Sequence, residues 1–173
     1  PDDLRRLLSE QLTGCGFNEI LNNSLTAEAY YQPLTEYPAD RCVKLLNPLS
    51  QDLNVMRQTL LFGGLENLAH NINRKSKDLQ FYEFGNVYFF NPEAESTAEK
   101  PLKPYSEGAR FALWLTGDVR RANWAGPAES ATFFHLKAHV ANIFARAGIG
   151  EREIMLTPAT TELLSDALVI TTR

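Results

Sequence analysis

Four groups of side chains in this sequence could do chemistry: a lone Arg57, a Glu83 set inside an apolar run, the pair His135 and His139, and a cationic cluster of His70, Arg74, Lys75 and Lys77. Arg57 stands where an extended stretch meets a helix. It is either an ion-pair residue or a clamp for an anionic ligand, and isolated arginines more often form ion pairs. Glu83 lies between Phe81 and Gly85 on one alternating face, so its carboxylate must find a donor or meet water. Arg57 and Arg110 are the candidate partners. His135 and His139 have the four-residue spacing at which two imidazoles can share a metal. They align with Asn142 and Arg146 on a polar helix face, however, and no acidic third ligand sits at a helical offset. Solvated histidines are expected there.

The cationic cluster falls at the end of a predicted helix. It either answers the helix dipole or forms a phosphate-contacting patch, and the dipole reading is favoured. Trp124, beside Gly126-Pro127, is a stacking platform or a core plug. Cys15 and Cys42 show neither CxxC spacing nor matching histidines, so free thiols in a reducing compartment are expected. No GxSxG, HExxH, P-loop or GxGxxG pattern occurs. No catalytic, cofactor-binding or metal-ligating residue is therefore expected.

These side chains need elements to hold them. The longest β-forming run is Asp78 to Phe90, and both of its alternating faces are largely apolar, which predicts a strand covered on both sides. Gly85 in mid-run predicts a bulge or the close approach of another backbone. Asp2 or Asp3 can cap a first helix with Leu4, Leu7, Leu8, Leu12 and Cys15 on one face, ended by Gly14 and Gly16. A strand is predicted over 17–25, a single helical turn over 26–31 with Thr26 as cap, another strand over 42–46, and a capped turn over 50–54. A second helix over 60–74 carries Leu61, Leu65, Leu68 and Ile72; Gly63-Gly64 near its start would weaken it by up to about 2 kcal/mol unless something packs closely there. The Pro- and Glu-rich stretch 91–108 reads as a polar loop, and 110–117 as a hairpin partner of the long strand. A third helix is predicted over 132–147 with Phe133, Leu136, Val140, Ile143, Phe144 and Ala147 inward. Two short strands follow, near 153–156 and 167–172. The fold class is α+β, an antiparallel sheet flanked by helices.

The 173 residues suggest one domain, long enough to bury roughly 70% of the unfolded surface. A formal charge of −4 argues against a broad nucleic-acid footprint. No apolar run approaches the ~20 residues of a membrane span, so no membrane is expected. The chain begins at Pro1 without a Met and ends on a strand-like run, and so reads as a piece of something longer, truncated at both ends.

Several segments together resemble one family. Leu46-Asn47-Pro48-Leu49-Ser50, Met56-Arg57-Gln58-Thr59-Leu60-Leu61, Asn71-Ile72-Asn73-Arg74, Phe81-Tyr82-Glu83-Phe84-Gly85-Asn86-Val87-Tyr88 and Phe133-Phe134-His135-Leu136-Lys137 are similar, in order and gaps, to the synthetase-like core module of bacterial phenylalanine–tRNA ligase β subunits. His135 departs from the acidic residue of that pattern. The resemblance implies a sheet-and-helix fold like the class II aminoacyl-tRNA synthetase catalytic domain. That fold's second signature ends in Phe-Arg-x-Glu; sliding it onto residues 85–91 puts Phe89 at the arginine and Asn91 at the carboxylate, and a phenyl ring cannot neutralise a phosphate. The resemblance thus implies a catalytically silent module, with no cofactor of its own. It would pack on a catalytic α subunit in a cytoplasmic α2β2 enzyme that joins phenylalanine to tRNA-Phe with ATP and Mg²⁺. Its partners would be that subunit, the rest of the β chain and, through the holoenzyme, the tRNA.

Leu4, Leu8, Leu12, Met56, Arg57, Leu61 and Leu65 are the expected subunit-interface residues. Such an obligate interface should bury over ~2,000 Å², and the isolated chain should self-associate through an apolar patch. Arg74, Lys75 and Lys77 are the candidate tRNA contacts, should the cluster do more than answer the helix dipole. Two other readings stand beside this one, an active class II paralogue and an autonomous tRNA-binding module.

Overall fold

The computed structural model describes residues 2–172. In chain order the elements are helix α1 (Asp2–Gly14), strands β1 (Asn18–Glu19), β2 (Leu25–Thr26) and β3 (Val55–Met56), helix α2 (Leu61–Ile72), the long strands β4 (Leu79–Phe90) and β5 (Tyr105–Thr116), the short strands β6 (Asp118–Arg120) and β7 (Glu129–Ser130), helix α3 (Phe133–Arg146), and strands β8 (Ile154–Ala159) and β9 (Ala167–Thr172). Single 3₁₀ turns occupy Glu28–Tyr30, Ala39–Arg41, Gln51–Leu53 and Glu151–Glu153. β1, β4 and β5 form one sheet in that order, and β2 with β3, β6 with β7, and β8 with β9 form two-stranded sheets. This is an α+β chain, as expected. One expected feature changes: β1 runs parallel to β4, with Asn18 opposite Phe81 and Glu19 opposite Tyr82.

The chain divides into two compact units. Unit 1 comprises 2–20, 67–82 and 113–172; unit 2 comprises 21–66 and 83–112. In unit 1, Leu8, Leu12, Phe17, Leu79, Phe81, Tyr82 and Trp114 are buried. The α1 face is narrower than its periodicity predicts, since Leu4 and Cys15 are exposed. Asp2 and Asp3 lie in the first turn of α1, where carboxylates favour the positive end of the dipole. α3 has no fully buried residue, and its expected inward Phe133 is exposed.

All three helices stop in the same way. Phe17 N–H bonds the Leu12 carbonyl and Gly16 N–H that of Thr13, each at 3.0 Å. Ile149 and Gly148 repeat the pattern at 2.9 and 3.1 Å on Phe144 and Ala145. Ser76 and Lys75 do so at 3.1 and 2.8 Å on Asn71 and Ile72. These are Schellman stops, which place one residue in the left-handed region. Gly16 and Gly148 fill that position after α1 and α3, but after α2 it is Lys75, at φ 66°.

In unit 2 the core is Tyr31, Cys42 and Val55, with Leu34, Tyr37, Ala39 and Phe62 packed on it. Regular ladder is scarce between Leu21 and Glu66, while the β4–β5 hairpin supplies the ladder of the remainder. The predicted strand over 17–25 breaks into β1 and β2, which belong to different sheets. The predicted strand over 42–46 is reduced to an isolated bridge, Lys44 opposite Val55, because β3 is only two residues long and cannot extend a ladder. The helical turn predicted over 26–31 is the 3₁₀ turn Glu28–Tyr30, and Ala27 replaces Thr26 at its cap. The predicted loop 91–108 is shorter, since Tyr105 to Gly108 join β5, and the Asn91 N–H closes its base on the Pro104 carbonyl at 2.7 Å.

Candidate functional site

Arg57 and Glu83 meet inside unit 2. Arg57 follows β3 directly, and its backbone is fixed on both sides: its N–H donates to Ser24 O and its carbonyl accepts from Tyr88 N–H, each at 2.9 Å. From there Arg57 Nη1 donates to Glu83 Oε1 at 2.7 Å, and Nε donates to the Asn86 carbonyl at 2.9 Å. Asn22 completes the carboxylate, with Nδ2 on Oε2 at 2.7 Å and its backbone N–H on Oε1 at 3.3 Å. Glu83 is 0% exposed and Arg57 only 5%. Gly85 explains how a guanidinium fits against β4, for a Cβ at that residue would fall on Arg57 Nη2 and on Leu60. Of the two readings of Arg57, the structure realises the ion pair. Of the two candidate partners of Glu83, it realises Arg57.

The chemistry of this site is closed. A buried guanidinium bonded to a buried carboxylate and a carbonyl has its charge answered, and cannot offer the fork that a phosphate needs. The adjoining cavity, lined by Asn22, Thr26, Arg57, Thr59, Gly63 and Glu66, holds about 80 Å³. Sites for small molecules run to roughly 300–1,000 Å³, so this one has room for water and not for a nucleotide. Gly63 sits at its wall, where a Cβ would lie 3.1 Å from Asn22; this is the close packing that Gly63-Gly64 predict.

The α2 cations are engaged locally. Arg74 Nη1 donates to the His70 carbonyl at 3.1 Å, capping the helix end. Lys77 pairs with Asp118 at 3.3 Å, and the Asp118 carboxyl is held below its usual range by the Ser130 hydroxyl first and Lys77 second. Lys75 carries the left-handed backbone of the α2 stop.

His135 and His139 do different work. His139 sets its ring edge-on to Phe17, centroids 4.8 Å apart, and burial lowers its pKa, with His135 adding to the shift. His135 is the third residue of α3 and reaches back to its start: the Thr132 N–H donates to Nδ1 at 3.2 Å, while Nε2 lies 3.2 Å from Glu129 Oε1. A side chain at this position accepting the N-cap amide is half of a capping box, a role usually filled by Glu or Gln. The departure from an acidic residue is thereby explained, because an imidazole supplies the same acceptor. Among the described residues no three of His, Cys, Asp and Glu group as a metal site. Cys15 and Cys42 are free thiols; Cys42 is buried, which pushes its pKa up, and it accepts from Gln58 Nε2 at 3.0 Å.

The expected interface residues separate into two sets. Leu8, Leu12 and Arg57 are buried within the chain, so their surface is already used. Leu4 and Leu65 are about half exposed, and Met56 and Leu61 are intermediate. Two further leucines that the sequence reading did not single out, Leu46 and Leu49, are 95% and 99% exposed on either side of Asn47-Pro48. The signal for them is an apolar pair astride Asn47-Pro48, where the strand expected over 42–46 stops. Trp124 is 100% exposed, which removes the core-plug reading. No helix is long and apolar enough to cross a membrane among the described residues.

Residues 2–167 match the family described as phenylalanyl tRNA synthetase beta chain CLM domain. The phenylalanine–tRNA ligase beta subunit of Bacteroides fragilis is 52% identical over 170 residues, covering 98% of this chain and 21% of that protein. The one from Porphyromonas gingivalis is 47% identical over 167 residues, covering 96% and 20%. The chain thus spans about a fifth of the length of these relatives. Among solved structures, a pyrrolysyl tRNA synthetase from Desulfitobacterium hafniense superposes with TM-score 0.64 at 16% identity, over 98% of this chain and 54% of that one. An ATP phosphoribosyltransferase regulatory subunit/histidyl-tRNA synthetase from Bacillus halodurans gives 0.62 at 17% identity, over 91% and 36%. At such identities the likeness is one of fold, and it is the synthetase fold that the sequence resemblance implies.

Proposed function

Because the chain belongs to the phenylalanyl-tRNA synthetase beta-chain family, we propose that it is a catalytically silent assembly module. It packs on the catalytic α subunit of a cytoplasmic α2β2 phenylalanine–tRNA ligase and supports the attachment of phenylalanine to tRNA-Phe. The observation that carries this reading is the loop of Leu46 and Leu49, two leucines held almost wholly in water. Both sides of the loop are anchored, by Leu45 N–H on Asn54 O at 3.0 Å and Met56 N–H on Val43 O at 2.9 Å. Two large aliphatic side chains left in water so close together support the reading of this loop as part of a contact surface.

Silence is supported by the ion pair and by the cavity beside it. An ATP with its Mg²⁺ does not fit these residues: about 80 Å³ is too small, and the arginine in its wall already bonds Glu83. The nucleotide, the metal and the amino acid are therefore assigned to the α subunit. An autonomous tRNA-binding role has less support, since Arg74 bonds its own helix and Lys77 pairs with Asp118.

The test is co-expression of the full-length β chain, wild type or Leu46→Ser/Leu49→Ser, with its α subunit. The wild type should co-purify as a heterotetramer, and the double variant should lose α while remaining folded by circular dichroism. Undiminished recovery of α would remove the leucine loop from the interface. ATP binding by β alone would remove the claim of silence.

A further inference from the structure

The leucine loop has little inside it to hold its course. Over residues 45–54 the regular structure is one 3₁₀ turn, Gln51–Leu53, and Leu46 and Leu49 are left in water. The course is set at the two ends, and one residue outside the loop grips both. Glu28 Oε1 accepts from Lys44 Nζ at 2.6 Å, just before the loop begins. The Glu28 N–H donates to Asn54 Oδ1 at 2.9 Å, where the loop closes. Asn54 in turn accepts the Leu45 N–H at 3.0 Å, donates its own N–H to the Thr26 carbonyl at 3.1 Å, and reaches Gln51 Oε1 with Nδ2 at 3.4 Å.

The grip is itself anchored. Glu28 opens the 3₁₀ turn Glu28–Tyr30. Tyr30 donates its hydroxyl to Glu66 on α2 at 2.6 Å and stacks on Phe62, and the next residue, Tyr31, is buried in the unit 2 core. The Lys44 side chain is 60% exposed and that of Glu28 22%. An ion pair so open to water contributes little to the stability of a folded chain. Its effect falls on the loop. A segment with neither packing nor ladder has many courses open to it, and those must be given up when its side chains dock.

We propose that Glu28 is a positioning residue for subunit assembly: through Lys44 at one end and Asn54 at the other, it sets the course of the loop so that Leu46 and Leu49 meet the α subunit already ordered. This rests on the assembly reading above and adds to it the group that makes the leucines ready. Glu28 acts through the loop and is not itself offered as a contact.

The experiment uses the full-length β chain and its α subunit. Deuterium uptake over residues 45–54 is followed by mass spectrometry in β alone, and α binding by surface plasmon resonance. Glu28→Gln keeps the backbone bond to Asn54 and the shape of the side chain but gives up its charge; Lys44→Met gives up the other half of the pair. Either change should speed exchange of the loop several-fold and weaken α binding about five- to tenfold, with the melting temperature of β nearly unmoved. The double variant should be no worse than either single one. In a Leu49→Ala chain, whose binding is already reduced, Glu28→Gln should cost less than in the wild type, because the leucine it positions has gone. The same loss in both backgrounds would make Glu28 act independently of the leucines, and weaker binding with unchanged exchange would make it a direct contact; either overturns the proposal. Faster exchange with undiminished binding overturns it too. All three leave the assembly reading standing, whereas undiminished binding by Leu49→Ala, or no complex with wild-type β, defeats both readings together.

Discussion

The guanidinium of Arg57 lies 2.7 Å from the carboxylate of Glu83, and that carboxylate has no contact with water. The pair joins the residue after β3 to the middle of β4, and Asn22 adds a third segment. Such a pair contributes little net stability against an apolar replacement of the same shape, but breaking it strands a charge.

Removing one partner should therefore be far worse than removing both. Glu83→Leu or Arg57→Met alone should cost about 3–5 kcal/mol, and the double variant should recover most of it. Urea denaturation of the four chains measures this. A double variant as unstable as the singles would shift the weight onto the Arg57–Asn86 and Asn22 hydrogen bonds.

Lys75 offers a gain in stability. Its left-handed backbone costs an L-residue roughly 1–2 kcal/mol, and glycine avoids that cost at a Schellman stop. Lys75→Gly should raise stability by about 1 kcal/mol. Thermal unfolding reads it directly, and a loss would mean that the lysine side chain makes a compensating contact.

His135 should behave as a cap. His135→Ala leaves the Thr132 amide without its acceptor and Glu129 without its tie to α3, at a cost of about 1 kcal/mol. His135→Gln keeps an acceptor oxygen at the same reach and should restore the capping part. Equal melting temperatures for wild type and His135→Ala would dismiss the cap.

His139 gives the chain a pH dependence. Its folded pKa lies below the ordinary 6.5, chiefly because it is partly buried, so the unfolded chain binds the proton more readily. Stability from this group is complete above the unfolded value and is lost as pH falls through the lowered folded one. His139→Phe keeps an aromatic ring beside Phe17 and removes the titration. Between about pH 7.5 and about pH 5.5 it should lose less stability than the wild type. Identical losses would assign the acid sensitivity elsewhere.

What the sequence made legible were features with a local signal. The β4 run, the periods of α1, α2 and α3, the β8–β9 pair and the close approach at Gly85 each follow from residue type and spacing. Unit 2 was harder. Between Leu21 and Met56 its strands are two residues long and its backbone bonds side chains, so no period is written into it. Glu83 announced that it needed a donor, but only the fold could choose Arg57 over Arg110. His135 looked like one member of a histidine pair because spacing shows alignment and not direction; its ring points back to Thr132 and Glu129. Leu8 and Leu12 were apolar for the sake of their own core, and an apolar helix face does not say which of its residues a partner could reach.

The side-chain bracing of unit 2 also shapes its hydrogen exchange. The Gln58 amide donates at 3.0 Å to the Tyr31 hydroxyl, a phenol whose pKa burial pushes up to about 12. The Glu28 amide likewise donates to Asn54 Oδ1 at 2.9 Å. Protection of these amides from deuterium is thus encoded by individual side chains and not by a ladder, so one atom can remove it. Tyr31→Phe should let the Gln58 amide exchange early while those of β4 stay slow, and the order in which unit 2 opens can be followed one acceptor at a time.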